Sequence, residues 1–173
     1  MSPITLQALA TFPEQLEALY ALIPTRHANW APASWAGIPS EAFTPIEQIC
    51  HIRDIEIDGY AVRFQRTLSE SNPLLETVDG YALARARAYA HDDPRAVFAA
   101  FRAARARNVA LLAALTDAEF SRPAVFEDYG ALTLRSLVHY LASHDQQHLA
   151  GLNWLLGGLA ASNASTHPEG IGS

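Results

Sequence analysis

The stretch Leu134–Leu159, LRSLVHYLASHDQQHLAGLNWLLGGL, decides the fold. At about 100° per residue, His144 and His148 lie one helical turn apart, at the centre of a leucine-rich helix face. The leucines of that face are Leu134, Leu137, Leu141, Leu152, Leu155 and Leu159. We therefore predict a long amphipathic helix that carries two imidazoles into the protein interior.

Two histidines four residues apart on a helix can bind one metal ion, as in zinc sites built from a His pair. The alternative is a metal-free core in which each buried imidazole finds a hydrogen-bond partner. His139 provides an internal control, because it projects to the opposite face with Ser143 and Asn153. We expect His139 to be solvated and chemically inert.

Composition excludes several function classes. The chain has 173 residues, enough for one domain with a sizeable core. Its formal net charge of −6 argues against nucleic-acid binding. All 12 cationic residues are arginines, so a Schiff-base lysine and a P-loop lysine are both excluded.

The location is predicted from the cysteine content and the N-terminus. Cys50 is the single cysteine, which rules out an internal disulfide and fits a reducing compartment. The sequence shows no secretory signal pattern and no uninterrupted apolar stretch long enough to cross a bilayer. We expect a cytoplasmic protein.

Capping patterns predict the other helices. Thr11 with Glu14 predicts the start of a first helix that ends at Pro24, and a long proline-punctuated loop, 24–43, follows. Thr44-Pro45 with Glu47 starts a second helix that runs to about Ser71. A short Ala/Arg-rich helix, 81–90, comes next. A third long helix then runs from Asp93-Pro94 to about Leu115, and Thr133 caps the last helix.

These elements predict an all-α fold, a four-helix bundle with a long first crossover loop. No strand alternation competes with that interpretation, and 123–130 is expected to be a loop. Residues 1–159 are predicted to form the single domain. Residues 160–173 are predicted to be a flexible tail, because the helical pattern stops after Leu159.

A third metal ligand has to come from another helix. His51 is the best candidate, because His27, His91 and His167 are predicted to lie in loops or the tail. Carboxylates could complete the site instead, with Asp54 or Asp58 the first to test. The spacing leaves both alternatives open.

Several other polar residues have candidate roles. Asp54 and Asp58 are candidates for acid–base catalysis, or for hydrogen-bonding the ligand histidines. Asn108 lies within an apolar stripe, so it either contacts substrate or bonds to backbone in the core. Arg53 and Arg105 could hold an anionic substrate, whereas Cys50 is expected to be a packed structural thiol.

Two segments resemble the DinB-like family. The segment Phe43–Ile52, FTPIEQICHI, resembles its second-helix signature, in which a His lies seven residues after a capping Ser or Thr. The segment Leu132–Leu137, LTLRSL, followed by His144 and His148, resembles its last-helix signature. The resemblance covers roughly 8–158, and Phe43 departs from the usual Trp.

The resemblance implies a four-helix bundle with a three-histidine divalent metal site, often in a homodimer. Carried over residue by residue, the ligands are His51, His144 and His148. Zinc is the first expectation for the metal, while nickel, iron or manganese would also fit such a site. An open coordination position would activate water or a thiol.

The predicted function is therefore that of a metal-dependent enzyme of the DinB-like type. It would hydrolyse a small molecule, or transfer a low-molecular-weight bacterial thiol to one. The alternative is a non-catalytic metal-binding or stress-response protein whose metal is structural. We expect no nucleic-acid or membrane partner.

Overall fold

The computed structural model describes residues 1–166, with backbone alone for 163–166. Two 3-10 turns, Thr25–His27 and Tyr89–His91, lie in the connections. In chain order, the other elements are α1 (Pro3–Tyr20), α2 (Pro45–Asp54), a π turn (Ile55–Tyr60), α3 (Ala61–Ser69), β1 (Leu74–Leu75), α4 (Gly80–Ala86), α5 (Pro94–Ala113), α6 (Asp117–Phe120), β2 (Pro123–Phe126), β3 (Gly130–Thr133) and α7 (Leu134–Thr166).

Four long helical segments form the bundle. α1 and α2 each pack against both α5 and α7, and α2, the π turn and α3 follow one another without a loop. The predicted four-helix bundle is thereby confirmed. All six leucines that define the inner face of α7 are buried, and His139 is exposed on the opposite face, as predicted.

The first helix begins earlier than the sequence pattern predicts. Ser2 caps α1 by accepting a hydrogen bond from the Ile4 N–H, and Pro3 occupies the first helical turn. Thr11, the predicted cap, lies inside the helix and donates its hydroxyl to the Gln7 carbonyl. The predicted start at Thr11 is therefore wrong, because a threonine inside a helix can satisfy its hydroxyl in this way.

A small sheet replaces the predicted loop at 123–130. β2 and β3 pair antiparallel, with Phe126 opposite Gly130, and β1 pairs parallel with β2 through Leu74 and Val125. Asp128 and Gly130 adopt positive φ in the connecting turn. Strands of two to four residues are too short for alternation to show, which is why the sequence pattern missed them.

The last helix continues beyond its predicted end at Leu159 and reaches Thr166. The remainder of the predicted tail, 167–173, lies outside the described residues. Among the helices that the structure describes, none is long and apolar enough to cross a membrane.

A belt of buried polar side chains divides the core into two apolar clusters. On α7, Leu134 to Leu141 belong to one cluster and Leu152 to Leu159 to the other. On α5, Phe101 and Leu112 are divided between the clusters in the same way. The buried polar residues between them include His51, Glu56, Arg105, Asn108, Asp145 and His148.

Arg105 is the centre of one half of this belt. Its guanidinium donates two hydrogen bonds of 2.9 Å to Glu56 and two, of 2.7 and 2.8 Å, to Asp145. It also donates to the Leu9 carbonyl at 3.1 Å. Pro13 has no N–H, so that carbonyl lacks its usual helical donor. Arg105 thus joins α5 to α1, the π turn and α7.

We expect Arg105→Met to lower the free energy of unfolding by about 3–5 kcal/mol, because two buried carboxylates would lose their partner. Arg102→Met on the same helix is the control. Arg102 pairs with Glu17 at the surface, so its loss should cost about 1 kcal/mol or less. Urea unfolding followed by circular dichroism measures both, and equal losses would contradict the assigned role of Arg105.

Candidate metal centre

The imidazoles of His51, His144 and His148 converge beside the Arg105 network. The Nε2 atom of His144 lies 3.2 Å from that of His51 and 3.1 Å from that of His148. α2 contributes the first residue, and consecutive turns of α7 contribute the other two. His51 is 2% exposed and His148 is fully buried. The packing of α2 against α7 thus brings together the three histidines selected from the sequence.

This geometry fits a divalent metal ion. With Zn–N bonds of about 2.0–2.1 Å at tetrahedral angles, two ligand nitrogens lie about 3.3 Å apart. A neutral imidazole has one donor and one acceptor nitrogen, and where Nδ1 is the donor the Nε2 atom carries a free lone pair. An ion between them would accept a lone pair from each. The donor set therefore suits zinc and other first-row ions.

Glu41 adds a carboxylate that the sequence analysis did not select. Its Oε2 lies 3.2 Å from His148 Nε2, and its Oε1 lies 3.7 Å from His51 Nε2. One ligand atom from each of the four residues falls within 4.8 Å of all the others. The sequence feature that could have indicated Glu41 is the length of the loop 24–43, since a long ordered loop usually covers a site.

Gln48 holds both His148 and the loop that carries Glu41. Its side-chain oxygen accepts a 2.5 Å hydrogen bond from His148 Nδ1, so Nε2 is left as the acceptor nitrogen that a metal needs. Its side-chain nitrogen donates to Ser40 at 2.8 Å and to the Glu41 carbonyl at 3.0 Å. A Cβ at Gly151 would collide with Ser40, so glycine lets this loop lie against α7.

Burial and mutual repulsion keep His51 and His144 in the protonation state that metals bind. Burial lowers the pKa of His51 to about 4, with a further contribution from the charge of His148. Burial likewise holds the pKa of His144 well below its usual value. Burial would raise the pKa of Glu41, but the neighbouring His148 and His51 side chains lower it. His51 and His144 are therefore uncharged at pH 7, the form in which an imidazole binds a metal, and Glu41 is ionised.

The two aspartates proposed for catalysis do not contact the histidines. Asp54 is buried and accepts hydrogen bonds from Arg53 at 2.6 Å and the Tyr89 hydroxyl at 2.6 Å. Asp58 accepts from Arg87 at 2.7 Å, at the protein surface. His51 Nδ1 is buried without a hydrogen-bond partner among the described residues, so neither carboxylate anchors this ring.

Asn108, two arginines and Cys50 also lie apart from the cluster. Asn108 is buried and donates to the Glu56 carboxylate at 2.8 Å, so it belongs to the Arg105 network. Arg53 pairs with Asp54 and Asp92, and Arg105 with Glu56 and Asp145. Cys50 is fully buried, and burial raises the pKa of its thiol. It is a packed thiol, as predicted.

A cleft of about 400 Å³ opens beside the cluster. Glu41, His51 and His144 line it on the side of the cluster, and Tyr60 lies near His144 with their ring centroids 6.3 Å apart. Its remaining walls come from the π turn, α3, the segment after β1, and β2 with the turn that follows it. The residues concerned are Ile55, Arg63, Thr77, Val78, Phe126, Asp128 and Tyr129. One side of the histidine cluster is thus accessible to a small molecule.

The π turn decides which residues line this cleft. In an uninterrupted α-helix, Asp58 and Val62 would lie within about 20° of His51 around the axis. A π turn holds about one more residue than an α turn, so residues beyond it are rotated by about 100°. Arg63 consequently lines the cleft beneath His51, whereas Val62 is 44% exposed.

Comparison with known proteins gives a family and a structural relative. The sequence matches the DinB superfamily over residues 8–152. No curated protein sequence matches the chain. The structure of YfiT from Bacillus subtilis, described as a probable metal-dependent hydrolase with an unusual four-helix bundle topology, matches with a TM-score of 0.80 and 22% identity. The match covers 92% of this chain and 90% of that chain, and it supports the bundle fold.

We expect His144→Ala to abolish stoichiometric binding of zinc or nickel, because two imidazoles would remain of the three that converge. His139→Ala on the same helix should bind as the wild type does, since His139 is exposed and faces away. Mass spectrometry of the metal content after incubation and desalting measures both. Stoichiometric metal in His144→Ala would contradict the assigned site.

The depressed pKa of His51 predicts a pH-dependent stability of the metal-free protein. The pKa falls from the ordinary 6.5 to about 4 on folding, so the unfolded chain binds the extra proton between these pH values. The free energy of unfolding should therefore fall as the pH is lowered through that window. His51→Asn should lose less stability over the same window than the wild type.

Urea unfolding of both proteins across this range measures the difference. His139→Asn is the control, because an exposed histidine has similar surroundings in the folded and unfolded chain. Coincident profiles for wild type and His51→Asn would refute the pH prediction.

Proposed function

The chain belongs to the DinB superfamily, and on this premise we propose that it is a metal-dependent hydrolase of a small molecule. The observation that carries the proposal is that Glu41, His51 and His144 line a cleft of about 400 Å³. A site that only stabilised the fold would be expected to be closed by protein on every side. This cluster meets the cleft at Glu41 and His144, which are partly exposed.

His51, His144 and His148 would hold the metal through their Nε2 atoms. A divalent ion bound by three neutral imidazoles supplies a Lewis acid and lowers the pKa of water. Gln48 would fix the tautomer and orientation of His148 through the 2.5 Å hydrogen bond to Nδ1. The buried setting of the rings excludes protons that would compete with the metal.

Glu41 is the proposed general base. Its side chain is 33% exposed and lines the cleft, while both carboxylate oxygens lie within 4 Å of an imidazole nitrogen. Its carboxylate faces the cleft beside the histidines and can accept a proton from a water molecule there. Gln48 positions the main chain of Glu41, so this carboxylate does not depend on a mobile loop.

The second candidate function is a metal site that only stabilises the fold, and Glu41 is the residue that favours it. Because Glu41 reaches the histidine cluster, it could act as a fourth protein ligand and close the coordination sphere. The two functions differ in what the loss of the carboxylate would do. Transfer of a low-molecular-weight thiol, assembly as a homodimer and the choice of zinc over nickel stay predictions.

We expect zinc-loaded protein to hydrolyse an activated ester such as p-nitrophenyl acetate. Glu41→Gln should lower kcat/KM by about 10²-fold or more while the zinc content stays stoichiometric, because a general base typically contributes that much. Glu14→Gln is the control, since Glu14 is exposed on α1. Its kcat/KM should equal that of the wild type.

Stopped-assay rates and metal analysis on the same samples separate the two functions. Loss of zinc in Glu41→Gln, together with an inactive wild type, would indicate a structural metal and overturn the proposed hydrolase.

A further inference from the structure

Arg63 is a buried cation in the wall of the cleft with no carboxylate partner among the described residues. It is 6% exposed, and its Nε and Nη2 atoms both donate to the main-chain carbonyl of Glu76, at 3.3 and 3.0 Å. Its Nη1 atom makes no hydrogen bond within the part of the chain that the structure describes. An unpaired buried charge is costly, and burial lowers the pKa of this guanidinium.

Aromatic rings hold the guanidinium in place. Its central carbon lies 4.5 Å from the Phe126 ring centroid and 5.2 Å from that of Tyr60. These rings stabilise the cation without neutralising its charge, because their interaction is with the ring faces. The strand β2 supplies Phe126, so the small sheet forms the support on which the arginine rests.

Arg63 and the histidine cluster both neighbour one aromatic ring. The Arg63 guanidinium carbon lies 5.2 Å from the Tyr60 ring centroid, and that centroid lies 6.3 Å from the His144 ring centroid. A small molecule in the cleft could therefore reach both the imidazoles and the guanidinium. Asp128 also lines the cleft, but it is exposed in the turn between β2 and β3 and forms no ion pair with Arg63.

The outer wall of the cleft is apolar and aromatic. The rings of Phe126 and Tyr129 stack with centroids 4.8 Å apart, and Tyr129 is 57% exposed. An exposed ring stacked on a buried one suits the hydrocarbon part of an organic ligand. Arginine in turn suits a planar or tetrahedral anion, which its parallel N–H groups can bind at two oxygens.

From these contacts we infer that the cleft binds a small organic anion, an apolar body carrying a carboxylate or phosphate group that Arg63 holds. This inference rests on the proposed function, because it names the substrate class of the same site. The anionic group would contact Arg63, and the bond to be cleaved would lie towards Glu41 and the histidines. A neutral molecule of the same shape would leave the guanidinium unpaired.

The test compares 3-phenylpropionate with its neutral analogue 3-phenylpropionamide. Isothermal titration calorimetry measures both dissociation constants on the full chain, once zinc-loaded and once metal-free. We expect the wild type to prefer the anion by at least about tenfold in both states. Arg63→Gln should abolish the preference, and Arg63→Lys should retain part of it.

Arg66→Gln is the matched control on the same helix. Arg66 is paired with Glu70 at the surface, so the preference should stay at the wild-type value. Because no hydrolysis is measured, a catalytically inactive protein that still prefers the anion would refute the proposed function but leave this inference standing.

Two outcomes would overturn the inference. One is equal affinity for acid and amide in the metal-free wild type. The other is a preference that survives in Arg63→Gln and disappears with the zinc, since the anion would then bind the metal. If Arg63→Gln fails to fold, NMR of the wild type replaces it. The ¹⁵Nε chemical shift of Arg63 should change when 3-phenylpropionate is added and stay unchanged with the amide.

Discussion

The fold depends on the cost of burying the Arg105 guanidinium. A charge with 1% exposure must be fully paired, and the pairing comes from Glu56 in the π turn and Asp145 on α7. Since each carboxylate is held at two nitrogens, the rotation of both segments is fixed relative to α5. Asp145 directly follows His144 in sequence, so the same ion pair that stabilises the bundle orients a histidine of the cluster.

The polar belt therefore has two halves with opposite properties. Around Arg105 every charged group has a partner within the protein, one guanidinium between two carboxylates, and Asn108 completes the network. In the other half, the Nε2 atoms of His51 and His148 lie 3.1–3.2 Å from that of His144 beside a cleft, and His51 Nδ1 has no partner among the described residues. Interiors keep such unsatisfied groups where a ligand supplies what is missing. The Arg105 half holds the helices at the spacing that brings the histidines together.

Sequence reasoning could predict the parts of this architecture that repeat with a helical period. The leucine face placed His144 and His148 inside, and the capping box at Thr44 placed His51 on the second helix. Glu41 and Gln48 were not predicted as site residues, because a loop carboxylate and a core amide have no periodic signature. Asp54 and Asp58 were selected as neighbours of His51 on an ideal helix, yet in the structure both bind arginines instead. The π turn that breaks this helix leaves no mark in the hydrophobic pattern.

That extra residue in the π turn makes the site tolerant of one change in chain length. Deleting one residue between Ile55 and Tyr60 would restore an ordinary α-helix, because the deletion removes the extra residue that the π turn accommodates. Arg63 would then stay in the cleft, one position closer to His51 along the chain. Among relatives of this chain, a one-residue gap in this segment is therefore compatible with the same ligand chemistry, provided that the arginine is aligned across the gap.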